Sequence, residues 1–373
     1  MAIFKRYLIQ QVEKDLQRKM VFVGGPRQVG KTTLSTHTKF SDKTGYLNWD
    51  IAEHREKILR QQWPATQLWI FDEIHKYHQW RNLLKGLYDE YKGSQKILVT
   101  GSANLDIYRH GGDSLQGRYH YLRLHPLSAA ELKIHSSKEL LNLLELGGFP
   151  EPFFQSKKIE AKRWSREYRT RLIQEDLRSL ERIHDIGKVE LLMLRLPELV
   201  GSPLSINAIR EDLQVSHKTM ATWLLVLEKL YAIFRLSPFG APRIRAVKKE
   251  QKHYHFDWTL IENSSIRFEN MVACHLLKWV HYEQDVKGRD LELRYFRDTN
   301  GKEIDFVIIE KLKPIMAIEC KWEDGPVSKA LSYFKLRFPA CEMWQISAIG
   351  KQDYRSKEKI RVMPAVGFLA GLV

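Results

Sequence analysis

Apolar and polar positions alternate in two different ways along this chain. Up to about residue 127, short apolar runs are separated by polar stretches of helical character, the pattern expected of a parallel sheet covered by helices. Met20 to Val23, Tyr46 to Trp49, Leu68 to Phe71, Ile97 to Thr100 and Tyr119 to Leu124 read as its strands. Pro126-Leu127-Ser128 ends the sheet, and Ser128 with Glu131 reads as a capping box that opens a helix. From there to about Leu199 the chain reads as helical, broken by the turn Gly147-Gly148-Phe149-Pro150. Lys157 to Arg182 is dense in Arg and Lys with acids between them, which a solvated helical face accounts for.

Further along, Ser205 to Leu213 reads as a capped amphipathic helix, with Ile206, Ile209 and Leu213 facing inward. A turn at Val215-Ser216 leads to a second helix, His217 to Leu230. Tyr231 to Leu236 and Tyr254 to Phe256 are strand-like, and the loop between them carries Arg243, Arg245, Lys248 and Lys249. Helix, turn, helix and a basic hairpin make a winged helix-turn-helix pattern. If it meets DNA, His217, Lys218 and Thr219 would enter the major groove and the hairpin would track phosphate. Packing against other domains or subunits is the competing use of such a module. The last region opens with a helix near Ile266, followed by strands at Glu292 to Arg297, Ile304 to Ile309 and Ile315 to Lys321.

The chain has 373 residues, enough for two or three domains at roughly 150 residues each. With 43% hydrophobic and 28% charged residues, a disordered, collagen-like or disulfide-stapled protein is excluded. No apolar run approaches the roughly 18 residues of a membrane span, and Met1 to Leu8 lacks the apolar stretch of a signal peptide. Cys274, Cys320 and Cys341 are scattered and form no CxxC pair, so the reading is a reducing, cytoplasmic protein without a membrane partner. Charge changes the picture more. Sixty Lys and Arg against 45 Asp and Glu leave +15, an excess that favours polyanions such as DNA.

The candidate chemistry is concentrated in two places. Gly25-Pro26-Arg27-Gln28-Val29-Gly30-Lys31-Thr32 fits GxxxxGK[ST], with an apolar strand before it and a helix after it, and Thr33 beside it. Its glycines let backbone N–H groups close around phosphate oxygens. Lys31 would reach the β- and γ-phosphates of ATP, and the Thr32 hydroxyl would ligate Mg²⁺. Leu68 to Glu73 is an apolar strand ending in two acids, about 40 residues after the loop. Asp72 is placed to hold the Mg²⁺ shell and Glu73 to polarise the attacking water. After the next strand, Ser102 and Asn104 are candidates to touch the γ-phosphate or the water, and serve equally as turn formers. Arg118 is a candidate arginine finger toward a neighbouring subunit, or a plain surface arginine.

These stretches, together with Phe71-Asp72-Glu73-Ile74, Thr100-Gly101-Ser102-Ala103, Gly117-Arg118 and Pro126-Leu127-Ser128, resemble the prokaryotic AAA+ ATPases of the archaeal-type group. The resemblance implies an ATP-hydrolysing core that assembles as a homo-oligomer, and it runs on through Gly147-Gly148-Phe149-Pro150.

The second place is C-terminal. Glu269 lies on the helix near Ile266, Asp305 on the strand Ile304 to Ile309, and Glu319 and Lys321 on the strand after it. Strand alternation puts Glu319 and Lys321 on one face and Ile318 and Cys320 on the other, toward the core. Acids and a lysine on adjacent strands can bind Mg²⁺ and activate water for phosphodiester cleavage. This arrangement resembles the PD-(D/E)xK nuclease superfamily. The resemblance implies Asp305 and Glu319 as metal ligands, Glu269 as a supporting acid and Lys321 as the group acting on the nucleophile. Ile304 stands where that pattern has proline.

The expected fold class is therefore α/β. A P-loop AAA+ αβα sandwich fills 1–128, a helical lid 129–199, a winged helix-turn-helix 200–262 and a restriction-endonuclease-like domain 263–373. The expected function is an ATPase acting on or with DNA, with or without Mg²⁺-dependent cleavage. The alternative is a nucleotide-gated oligomeric switch whose last domain only binds DNA or a partner. A small-molecule kinase is a weaker third reading, since Asp72-Glu73 favours water as nucleophile.

Overall fold

The computed structural model describes residues 4–40, 44–101, 115–177, 185–240 and 251–373. The candidates Ser102 and Asn104 and the basic hairpin residues Arg243, Arg245, Lys248 and Lys249 lie outside the described residues. The chain divides into two compact units, residues 1–125 and 126–373. The boundaries expected at 199 and 262 both fall within the second.

The first unit begins with α1 (Ile9–Asp15), β1 (Met20–Gly24), α2 (Lys31–Thr36) and β2 (Thr44–Asn48). Then come α3 (Ala52–Leu59), β3 (Leu68–Asp72), α4 (Trp80–Glu90), β4 (Lys96–Thr100) and β5 (Tyr119–Arg123). The five strands form one parallel sheet in the order β2-β3-β4-β1-β5. Every residue of β1 and β3 is buried, as expected where a parallel sheet is covered on both faces. Each strand lies within two residues of its sequence-predicted position. On α4 the spacing of Trp80, Leu84 and Leu87 puts all three on one stripe. They pack with Phe22, Trp69, Phe71 and Val99 of the sheet into the core. Because β1, β3 and β4 are adjacent and parallel, their C-terminal ends bring the loop after β1, Asp72 and Thr100 to one edge.

The second unit opens with a correction. Residues 129–133 form a turn, and no helix starts at Ser128. Glu131, the expected capping partner, turns its carboxylate to the buried Lys278 ammonium, and Lys133 ends the turn with φ 52°. The capping box belongs to Ser136 and Glu139 at the head of α5 (Ser137–Leu146). The helices α6 (Pro150–Gln155), α7 (Lys158–Arg171), α8 (Ile186–Arg195), α9 (Ile206–Asp212) and α10 (His217–Lys229) follow. Ser205 and Ser216 cap the last two through their side chains, as N-cap serines do. β6 (Ile233–Leu236) pairs antiparallel with β7 (Lys252–His255).

The 24-residue α11 (Ser264–Lys287) is capped by Asn263 and buried on several sides. β8 (Leu291–Arg297), β9 (Glu303–Glu310), β10 (Lys313–Lys321), α12 (Lys329–Arg337), β11 (Glu342–Ser347), β12 (Tyr354–Arg355), β13 (Arg361–Pro364) and α13 (Ala365–Ala370) complete the unit. Their sheet runs β12-β13-β11-β10-β9-β8, with β10 parallel to β11 and antiparallel to β9. The sequence reading passed over β11, β12 and β13, which are short and alternate weakly. Among the described residues no helix is long and apolar enough to cross a membrane.

Candidate functional site

The loop between β1 and α2 is built on backbone that few side chains tolerate. Gly25 has φ +145°, and a Cβ there would meet the Leu124 carbonyl oxygen at 2.2 Å. Gly30, the residue before α2, is left-handed at φ 96°, and Gln28 adopts the same region at φ 55°. Lys31 is buried, and its ammonium donates to the carbonyls of Gly25 at 3.0 Å and Pro26 at 2.6 Å. The lysine thus folds inside its own loop, where its charge is satisfied by carbonyl dipoles. Arg6 supports the loop from behind. Its buried guanidinium donates to the carbonyls of Val29 and His125. In the sequence Arg6 is only half of an N-terminal basic pair, and nothing local distinguishes it.

Asp72, at the end of β3, is the centre of the site. Its Oδ2 accepts from Thr32 Oγ1 at 2.9 Å and from the Tyr46 hydroxyl at 2.6 Å, while its Oδ1 accepts from Thr100 Oγ1 at 2.7 Å. Three hydroxyls from three elements therefore aim one buried carboxylate. Burial raises the Tyr46 pKa, and its hydrogen bond to Asp72 raises it further, so the phenol stays a donor at neutral pH. Tyr46 and Thr100 were not singled out from the sequence. Their signal was register: Asp72 pairs with Asn48 on one side and Thr100 on the other. Hard oxygen donors, a hydroxyl and a carboxylate, suit Mg²⁺.

Glu73 follows in a left-handed conformation at φ 55°, rare for a non-glycine residue and typical of strained functional positions. Its Oε2 lies 3.5 Å from His75 Nε2 and 3.6 Å from Lys76 Nζ. Burial lowers the His75 pKa, against the pull of Glu73, and among the described residues neither ring nitrogen has a hydrogen-bond partner. A neutral imidazole therefore stands beside the candidate water-activating acid. Arg118, the candidate finger, is held by Asp89 on α4 through Nε at 2.8 Å and Nη2 at 3.0 Å. That bidentate pair is partly exposed.

In the second unit, elements distant in sequence bring the four C-terminal candidates near one another. Glu319 and Lys321 share a face of β10 and pair at 2.9 Å. Ile318 is fully buried on the other face, but Cys320 is only partly covered. Asp305 Oδ2 accepts the Cys320 N–H at 2.8 Å, and Glu269 Oε1 accepts the Tyr254 hydroxyl at 2.8 Å. Burial raises the pKa of Glu269 and of Glu319, and the charge of Asp305 raises both further. Among the described residues, one oxygen of Glu319 is buried without a hydrogen-bond partner.

Two residues the sequence reading passed over complete the cluster. Lys252 of β7, 1% exposed, lies 2.5 Å from Glu303 Oε1 and 3.7 Å from Glu269 Oε1. Burial alone would lower its pKa, but Glu269, Asp305 and Glu303 outweigh that and raise it. Among the described residues no three His, Cys, Asp or Glu side chains are grouped to hold a metal ion. The expected metal set of Glu269, Asp305 and Glu319 thus does not stand as a ready coordination shell.

Residues 17–133 match the family described as an AAA domain. That match supports an AAA-type ATPase domain over this stretch. Two domains of unknown function match beyond it, DUF8612 over residues 137–266 and DUF4143 over residues 266–367. Two uncharacterized proteins, Mb2031c of Mycobacterium bovis and Rv2008c of Mycobacterium tuberculosis, are each 24% identical over 268 residues. That alignment covers 70% of this chain and 59% of either relative, so the chain spans under two thirds of the curated relatives it matches. Among solved structures, RuvB of Thermotoga maritima is similar at a TM-score of 0.31 and 17% identity, over 62% of this chain and 90% of that one. The Orc1 protein of Aeropyrum pernix in complex with DNA reaches 0.34 at 14% identity, over 71% and 92%. The stretch that matches the AAA domain holds the parallel sheet and the loop between β1 and α2. The two families matched over the second unit carry no described function.

Proposed function

We propose that the chain binds ATP at the loop Gly25 to Thr32 and hydrolyses it, acting on or with DNA as a homo-oligomer. The observation that carries this is the Asp72 carboxylate, aimed by Thr32, Tyr46 and Thr100 at the edge where that loop ends. In this reading the backbone N–H groups from Arg27 to Gly30, with Gly25, Pro26 and Thr33 beside them, enclose the phosphates. Lys31 exchanges the carbonyls of Gly25 and Pro26 for β- and γ-phosphate oxygens. Thr32 and Asp72 hold Mg²⁺, which neutralises charge developing on the phosphate oxygens when bound. Glu73 orients and polarises a water that attacks the γ-phosphorus, and the β–γ bridging oxygen leaves. Arg118, released from Asp89, reaches the phosphates of a neighbouring subunit.

The partnership with DNA rests on the net charge of +15. A second reading is a nucleotide-gated switch in which the C-terminal acids cleave nothing. The buried Lys252 inside the acid cluster favours it over Mg²⁺-dependent cleavage by Asp305, Glu319 and Lys321. ATP turnover by wild type, Lys31→Ala and Glu73→Gln decides the main claim. Loss of about 100-fold or more is expected in both variants. Equal rates in all three would remove the ATPase reading.

A further inference from the structure

The acids of the second unit face a cation that the chain itself supplies. Lys252 comes from β7, while the acids come from α11, β9 and β10. Its ammonium is buried between Glu303 at 2.5 Å and Glu269 at 3.7 Å, and it stands 5.6 Å from the Tyr295 ring centre. A buried lysine is costly unless carboxylates surround it, so this placement is a specific pairing rather than a by-product of packing. The other charges are spoken for too. Lys321 pairs with Glu319 at 2.9 Å, and Arg297 approaches the second oxygen of Glu303 at 3.7 Å. Asp305 and Glu269 already accept from Cys320 N–H and the Tyr254 hydroxyl.

A divalent ion needs several carboxylate oxygens converging at about 2.0–2.6 Å, and an ammonium in the same space excludes it by repulsion and by volume. We propose that Lys252 is the resident cation of the Glu269–Glu303–Asp305 cluster, and that a divalent metal seats there only when this ammonium is withdrawn. Lys252 thereby sets whether the site is a metal centre at all. The inference deepens the second reading of the C-terminal acids and is independent of the ATP site.

The test is Mn²⁺ binding to the full chain without nucleotide, followed by electron paramagnetic resonance. Wild type, Asp305→Asn, Lys252→Met and the double variant are compared, with circular dichroism to confirm folding. Wild type and Asp305→Asn are expected to bind Mn²⁺ alike. Lys252→Met should gain one site at least tenfold tighter than any in wild type, lost again in the double variant. An Asp305-dependent Mn²⁺ site in wild type would overturn the proposal, as would a folded Lys252→Met that gains nothing. Should Lys252→Met fail to fold, the comparison of wild type with Asp305→Asn decides alone. ATP turnover is measured separately and bears only on the first unit.

Discussion

Tyr46 shows what one side chain contributes to the ATP site. Its hydroxyl spends its proton on Asp72 Oδ2, and Asn48 Nδ2 donates back to it at 3.1 Å, so the phenol links two positions of β2 to the acid on β3. Tyr46→Phe keeps the ring and removes only this link. The loss of one partly buried hydrogen bond to a charged acceptor is worth about 1–2 kcal/mol. The urea midpoint of the nucleotide-free protein should fall accordingly, and ATP turnover should fall roughly two- to tenfold as Asp72 loses one of three fixed donors. Unchanged stability and turnover would show that Thr32 and Thr100 aim Asp72 unaided.

At the scale of elements, the buried histidines make the second unit sensitive to acid. His275 on α11 accepts the Ala129 N–H at Nε2 and its Nδ1 lies 2.8 Å from the Met271 carbonyl. His253 on β7 lies 2.9 Å from the Leu196 carbonyl. Burial pushes the pKa of each down to about 4. Between about pH 6.5 and 4 the unfolded chain then binds protons that the folded chain does not, so each histidine makes stability fall as pH falls through that window. The effect at pH 5 is on the order of 2 kcal/mol per histidine. Glu269 and Glu319, with raised pKa values, push the opposite way, so the informative quantity is a difference between variants. His275→Gln should lose less stability between pH 7 and pH 5 than wild type in urea unfolding. An identical pH dependence would contradict a neutral buried ring.

For the whole molecule, the positive excess is not confined to the middle of the chain. Residues 1–125 hold 20 Lys and Arg against 12 Asp and Glu, and the remaining residues hold 40 against 33. Both units therefore carry surplus positive charge, and a polyanion could be met by either. If duplex DNA is the partner, affinity should fall steeply with salt, with a slope of log K against log salt of about −4 or steeper for five or more neutralised phosphates. A flat salt response in fluorescence anisotropy would remove DNA as a partner recognised through its backbone.

How much was legible in the residues alone follows from what each feature depends on. The central runs of the first unit, β1 and β3, read correctly because a strand covered on both faces must be apolar throughout, which is a local property. The loop from Gly25 to Thr32 and the acids at Asp72 and Glu73 were legible for a similar reason: phosphate chemistry demands particular residue types at short spacings. Ser128 with Glu131 misled because a hydroxyl and a carboxylate can serve a helix cap or a distant ammonium equally well, and only the position of Lys278, which donates to Ser128 and pairs with Glu131, decides between them. Tyr46, Arg6 and Lys252 carry no local mark either. Each matters through a partner 17 to 119 positions away that the sheet order or a long helix brings within reach of an ion pair or hydrogen bond. Short-range chemistry was thus written in the chain, while the pairing of buried charges was settled by the fold, because desolvation makes a charge seek whichever partner the packing leaves beside it.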